Sequence, residues 1–183
     1  QSRVICAKDN AFHHDIAVAG DDTIYILEHK RALRPEVNPY HEVLDDYVTR
    51  LTHEGDIIDS VSLLDCILNS PCRSLLDRLV FETVDVLHAN SVKLITEEQA
   101  RAWPIARPGM VLVSLRELST IALIDLSAQK VVWWNAEITR YQHEPIISPS
   151  GNILVFDNVW CKKRSRVLEF NPSTGGILWQ YTG

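Results

Sequence analysis

A histidine, a short apolar strand, a turn of small polar residues and a second apolar strand recur along the chain, and this repeat constrains the fold more than any other feature. Its clearest copy runs from Gln142 to Asn158. His143 leads into Pro145 to Ile147, Ser150-Gly151-Asn152 makes the turn, and Ile153 to Phe156 forms the second strand, stopped by Asp157-Asn158. The same order appears at His13-His14-Asp15-Ile16-Ala17-Val18 before Gly20-Asp21-Asp22 and Thr23 to Leu27. It appears again at His88-Ala89-Asn90-Ser91-Val92 before Met110 to Arg116.

Each copy extends outward by two further strands. The first adds Glu42 to Thr52, a His53-Glu54-Gly55-Asp56 turn and Ile57 to Val61, while residues 30–40, with Pro35 and Pro39, read as a loop. The second comprises Ser91 to Ile95, Met110 to Leu115, Thr120 to Asp125 and Lys130 to Trp134, interrupted by a charged excursion from Thr96 to Pro108. The third comprises Pro145 to Ile147, Ile153 to Phe156, Arg166 to Phe170 and Ile177 to Tyr181. A short strand is also expected over Val4 to Ala7.

A helical insertion is expected over residues 62–82. Ser62 with Asp65 makes a weak capping box for Leu63 to Leu68, and Ser70-Pro71 is an N-cap and N1 pair for a second helix carrying Leu75, Leu76, Leu79 and Val80.

Three four-stranded units at a period of roughly 40 to 50 residues predict an all-β fold, a β-propeller. The blades cover residues 13–61, 88–134 and 143–181, and residues 1–183 form one partial propeller domain. Three blades do not close a ring, so the expectation is a segment of a larger propeller. The alternative is a β-sandwich with two inserted helices.

Composition narrows the partners. A formal charge of −6 and no Lys/Arg stripe with interleaved aromatics argue against nucleic acid. No apolar run reaches the roughly 18 residues needed to span a bilayer. Gln1-Ser2-Arg3-Val4-Ile5-Cys6 is not a signal peptide, which leaves secretion open. Cys6, Cys66, Cys72 and Cys161 lack metal-type spacing. Cys66 and Cys72 could be bridged across a turn, but free buried thiols are the favoured reading.

In a propeller the innermost strands converge, so residues at equivalent places in different blades meet. His14, His88 and His143 hold such a place, and Arg116, closing Ser114-Leu115-Arg116, can turn into the same funnel. Three imidazoles could bind zinc, but an adjacent guanidinium suits a cation poorly, and no metal ligand set is assigned. An acid–base pair of the phosphatase or lyase kind is also open. Transfer of a compact oxyanion group fits better: a neutral imidazole attacks sulfur or phosphorus while arginine and the other imidazoles neutralise the non-bridging oxygens.

Asp85-Val86-Leu87-His88-Ala89-Asn90-Ser91-Val92, Leu112-Val113-Ser114-Leu115-Arg116, and Gln142-His143-Glu144 leading into Gly151 to Asn158 resemble the bacterial arylsulfate sulfotransferase family. His14-Asp15 and Asp45-Asp46-Tyr47-Val48 share the resemblance, which spans most of residues 12–181.

It implies a six-bladed propeller that moves a sulfuryl group from an aryl sulfate to a phenolic acceptor without a nucleotide donor. It implies His143 as the nucleophile sulfurylated on nitrogen, with His14 and His88 holding sulfuryl oxygens and handling the phenolic proton. Arg116 would clamp the oxyanion. Asn90 would orient His88 or the substrate, and His13 competes with His14, which the following Asp15 favours. The resemblance implies no cofactor, and a periplasmic or secreted location; a homodimer is left open.

Two other readings stand beside this one. One is a non-catalytic propeller that serves as a binding scaffold. The other is a quinoprotein-like redox propeller, suggested by Trp133 and Trp179.

Overall fold

The computed structural model describes residues 7–79, 83–158 and 164–182. Among them, twelve strands form three four-stranded antiparallel sheets, each a simple meander in which order along the chain equals order in space. The first sheet contains β1 (Phe12–Val18), β2 (Ile24–Ala32), β3 (Val43–Leu51) and β4 (Ile57–Ser62). The second contains β5 (Ala89–Leu94), β6 (Val111–Leu115), β7 (Thr120–Asp125) and β8 (Lys130–Asn135). The third contains β9 (His143–Ile147), β10 (Ile153–Asp157), β11 (Arg166–Phe170) and β12 (Ile177–Thr182).

The middle sheet explains the layering. Every residue of β6 is buried, and successive side chains point to opposite faces. Val111, Val113 and Leu115 join one core with Leu27, Val48 and Leu63, whereas Leu112 joins a second with Ile153, Val155 and Phe170. β7 repeats the split: Ala122 and Ile124 face the first core, Ile121 and Leu123 the second. The second sheet is therefore packed on both faces, between the first and the third. At about 25 cal/mol per Å² of apolar surface, this double burial is the main force holding the three sheets together.

The first strands of the sheets lie together, β1 against β5 and β5 against β9. Farther out, the first and second sheets are wedged by α1 (Leu63–Leu68), which contacts β3, β4 and β8. Sheets that meet at one edge and splay at the other are what blade packing requires.

Several local expectations change. β2 continues to Ala32 rather than ending before a loop at residue 30, because Lys30 lies opposite Asp45, bonds Ser60 Oγ at 2.8 Å and stacks 4.3 Å over the Tyr47 ring. Ser62 Oγ does accept the Asp65 N–H, at 3.1 Å, and caps α1. Ser70 does not cap. Its hydroxyl donates to Cys66 O at 2.6 Å and accepts from Val131 N at 2.8 Å, tying the insertion to β8, and the segment after it, Pro71–Arg78, is a 3₁₀ helix.

Cys66 and Cys72 are buried and free, and burial pushes the Cys66 thiol up to about 12. Cys6, Cys161, Val80 and almost all of the strand expected at Val4 to Ala7 lie outside the described residues.

The excursion after β5 contains α2 (Glu97–Ala102), started by a reciprocal capping box between Thr96 and Gln99. It reaches the third sheet, where a Cβ placed on Gly151 would lie 2.5 Å from Ala102 O, and Gly151 also has φ of 81°. Gly151→Ala is expected to destabilise the chain by about 1–3 kcal/mol, through left-handed strain and displacement of the α2 terminus. Urea unfolding checks this; a variant as stable as the parent shows that α2 yields freely.

Candidate functional site

Each first strand breaks its pairing where its histidine lies. The β1 register slips between His13 and Ile16, the β5 register between Ala89 and Ser91, and β10 slips against β9 between Leu154 and Phe156, which pairs with His143. At the breaks in β1 and β9, and just before β5, a non-glycine residue takes the left-handed conformation: His14 (φ 52°), Glu144 (φ 50°) and His88 (φ 48°). Such a residue costs on the order of 1–3 kcal/mol, and a bulge re-aims the side chain it carries. The same irregularity therefore recurs at this end of the inner strands in all three sheets.

His14 and His88 meet edge to face, with ring centroids 4.9 Å apart. His88 Nδ1 is 2.5 Å from Asp85 Oδ2, so the ring donates there and keeps Nε2 for another partner. Asp85 is anchored by its neighbour: Leu44 N donates to Val84 O at 2.8 Å and links β3 to this segment.

His14 Nδ1 lies 2.8 Å from His13 Nδ1. Burial, then the neighbouring His13 and His88, hold the His14 imidazole below its usual 6.5.

His143 Nδ1 is 3.1 Å from the Tyr141 carbonyl, which also accepts from Asn158 Nδ2 at 2.8 Å. An N–H on Nδ1 directed at that carbonyl leaves the Nε2 lone pair for chemistry. Burial is the main reason that His143 titrates below 6.5; the positive charges of Arg116 and His88 push the same way, while the Tyr141 carbonyl opposes them. Arg116 follows β6, stacks 4.9 Å from the Tyr141 ring centroid and pairs with Glu117. The structure thus brings His14 and His88 into ring contact and sets His143 within the field of His88 and Arg116.

Other expected residues carry different contacts. Asn90 is buried; its Nδ2 donates to Gln142 O at 3.0 Å, joining the second and third sheets, while its Oδ1 makes no hydrogen bond. Asp15 does not mark His14. It accepts from Val92 N at 2.9 Å and from Lys93 Nζ at 2.7 Å, binding β1 to β5. His13 turns to Asp46, with 3.1 Å between Nε2 and Oδ1. Trp133 lies beside Trp103 and donates to Pro172 O, whereas Trp179 is about half exposed, as suits blade packing.

Three residues at this end were given no role from the sequence: His29, and Asp46 and Asp85, which entered only as part of the motifs that carry the resemblance. The available signal was in β3, where Asp45-Asp46 sit between Val43-Leu44 and Tyr47-Val48 and both are fully buried. Two clefts between the sheets, one lined by Arg50, Asp59 and Arg107 and the other by Ile16, Lys93 and Pro108, are not lined by these histidines.

Three radially packed meanders with a polar cluster where their first strands meet define a propeller-type domain. The family model described as Arylsulfotransferase (ASST) matches residues 6–183, and the chain belongs to that family. No curated protein matches the chain at a significant level. A solved structure described as "Structure of Dos1 propeller" is similar at a TM-score of 0.53 and 13% identity, covering 93% of this chain and 37% of that one. The likeness shows the fold, and this chain spans little more than a third of that structure's length.

Gln142 is the polar joint of the site. Fully buried, it donates to Ser114 Oγ at 3.0 Å, Leu115 O at 3.3 Å and Thr120 O at 3.0 Å, and accepts from Thr139 Oγ1 at 3.1 Å. Gln142→Leu is expected to cost about 2–4 kcal/mol by orphaning these groups. A thermal unfolding midpoint equal to the parent's would show that water replaces the amide.

Proposed function

We propose that this domain transfers a sulfuryl group from an aryl sulfate to a phenol through a sulfohistidine on His143. The observation that carries the reading is the pairing of His143 Nδ1 with the Tyr141 carbonyl beside a guanidinium, which leaves Nε2 as a neutral nucleophile. Family membership supplies the sulfotransferase class. In the first half-reaction the Nε2–S bond forms and the aryl O–S bond breaks, and the phenolate leaves with a proton. In the second, an acceptor phenol loses a proton, attacks sulfur and releases Nε2.

His88 suits the proton work, because Asp85 holds its Nδ1 and leaves Nε2 to exchange a proton. His14 and Arg116 would hold sulfuryl oxygens, with Asn90 and His13 at the margin as orienting groups. Small aryl sulfates and phenols are the proposed partners, and a periplasmic or secreted compartment follows the family. No helix among the described residues is long and apolar enough to cross a membrane. The complete activity is proposed for the whole propeller to which these blades would belong.

A non-catalytic binding propeller is the second reading. It is favoured by the pairing of Arg116 with Glu117, which gives the guanidinium an anion of its own.

Trapping with a radiolabelled aryl sulfate decides between them. Label is expected on His143 in the parent and none in His143→Ala; label retained in that variant excludes the nucleophile assignment. Arg116→Ala is expected to lose about 2–4 kcal/mol of transition-state stabilisation, read as a fall in kcat/KM. Because His143 titrates below 6.5, protonation inactivates it only at lower pH, so the acid limb of kcat/KM is expected below pH 6.5. A limb at or above pH 6.5 would assign the limiting ionisation to another group.

A further inference from the structure

A second constellation lies beside the first. His13, His29 and Asp46 stand on three adjacent strands, β1, β2 and β3. His29 is directly opposite Asp46, and His13 is opposite Leu27, two residues before His29 and so on the same face. Asp46 Oδ1 is 2.9 Å from His29 Nε2 and 3.1 Å from His13 Nε2, and the Asp46 side chain is fully buried.

All three atoms are buried, and beyond this ion-pair contact with one another none has a hydrogen-bond partner. The two rings are stacked, with centroids 3.6 Å apart. Asp85 Oδ1, 4.0 Å from His29 Nε2, is likewise buried without a hydrogen bond.

Four buried polar atoms thus converge in one place with only one another for company, whereas most buried nitrogen and oxygen atoms have well-directed partners. All four are of the kinds that ligate metals. The three closest lie within 4.8 Å of one another. Two ligands each about 2.1 Å from an ion and roughly 90° apart are separated by about 3.0 Å, as both histidine nitrogens are from Asp46 Oδ1. We propose that His13 Nε2, His29 Nε2 and Asp46 Oδ1 bind a divalent transition-metal ion, with Asp85 Oδ1 at hand as a fourth donor.

Two imidazoles and one carboxylate suit zinc, iron(II) or manganese(II) better than calcium or magnesium, which prefer all-oxygen sets. Asp46 Oδ2 already accepts from Ala89 N at 3.1 Å, the outer contact that orients a ligating carboxylate. With Nε2 on the ion, His13 carries its proton on Nδ1 and donates it to His14 Nδ1, 2.8 Å away. His14 then keeps its own proton on Nε2. This last consequence rests on the sulfuryl-transfer reading; the ion does not.

The test uses the untagged full chain, stripped with a chelator and titrated with Zn²⁺ by calorimetry and with Co²⁺ by optical spectroscopy. One ion per chain is expected, with affinity reduced roughly a hundredfold in Asp46→Asn and in His29→Gln. X-ray absorption of the zinc-loaded parent, expected to show imidazole scattering in a nitrogen and oxygen shell, keeps the test decisive should either variant unfold. Absence of stoichiometric binding, a shell without imidazole, or binding that survives both substitutions overturns the proposal. A chain that binds zinc as expected yet transfers no sulfuryl group retains this site and overturns only the preceding reading.

Discussion

Buried polar bonds between sheets set everything at this site. Within a sheet, backbone ladders fix the spacing of strands; from sheet to sheet, that work falls largely to side chains reaching across to a neighbour's backbone. Asp15 takes Val92 N, Asp46 takes Ala89 N, and Asn90 and Ser114 both donate to Gln142 O. Apolar packing would tolerate one sheet sliding on another by a fraction of an ångström. A carboxylate directed at a single amide does not, because a missed buried bond costs on the order of 1–3 kcal/mol. The distances among His14, His88 and His143 inherit that precision.

The same logic explains why the strained residues are tolerated. Left-handed backbone at His14, His88 and Glu144 opposes local preference, and it persists because the surroundings over-determine it. Asp15, next to His14, is bonded on both carboxylate oxygens; His88 is held by Asp85; Glu144 is held by Lys93. Each kink therefore sits beside an ionic or charge-assisted contact.

The strands were readable from the sequence wherever apolar alternation met a polar turn, as in Ile153 to Asp157 after Gly151. They were least readable where charge lay within a strand. Lys30 and Arg31 fell within a loop read from Pro35 and Pro39, yet their cross-strand partners keep them in β2. Ser70 looked like a cap because Pro71 follows it, but its hydroxyl serves β8, a contact that spacing along the chain does not encode.

The histidines at the strand entrances were visible because the repeat places them. His29 and Asp46 were not, since they lie within β2 and β3 and meet only through the pairing register. Asp15 shows the opposite hazard: adjacency to His14 suggested partnership, while at the β1 bulge its carboxylate turns to Val92 N and Lys93 of β5.

The chain of charges from Asp15 through Lys93 to Glu144 runs across all three first strands, and its two links differ in their access to solvent. Lys93 Nζ is 2.7 Å from Asp15, whose side chain is 14% exposed, and 2.8 Å from Glu144, at 57%. Dissolved ions therefore screen the second link far more than the first. Rising ionic strength weakens the Lys93–Glu144 link first, while the buried bonds from Asn90 and Ser114 to Gln142 O, which dissolved ions do not reach, keep β9 and His143 in place. The outer face of the joint between the second and third sheets therefore yields to salt before its interior does.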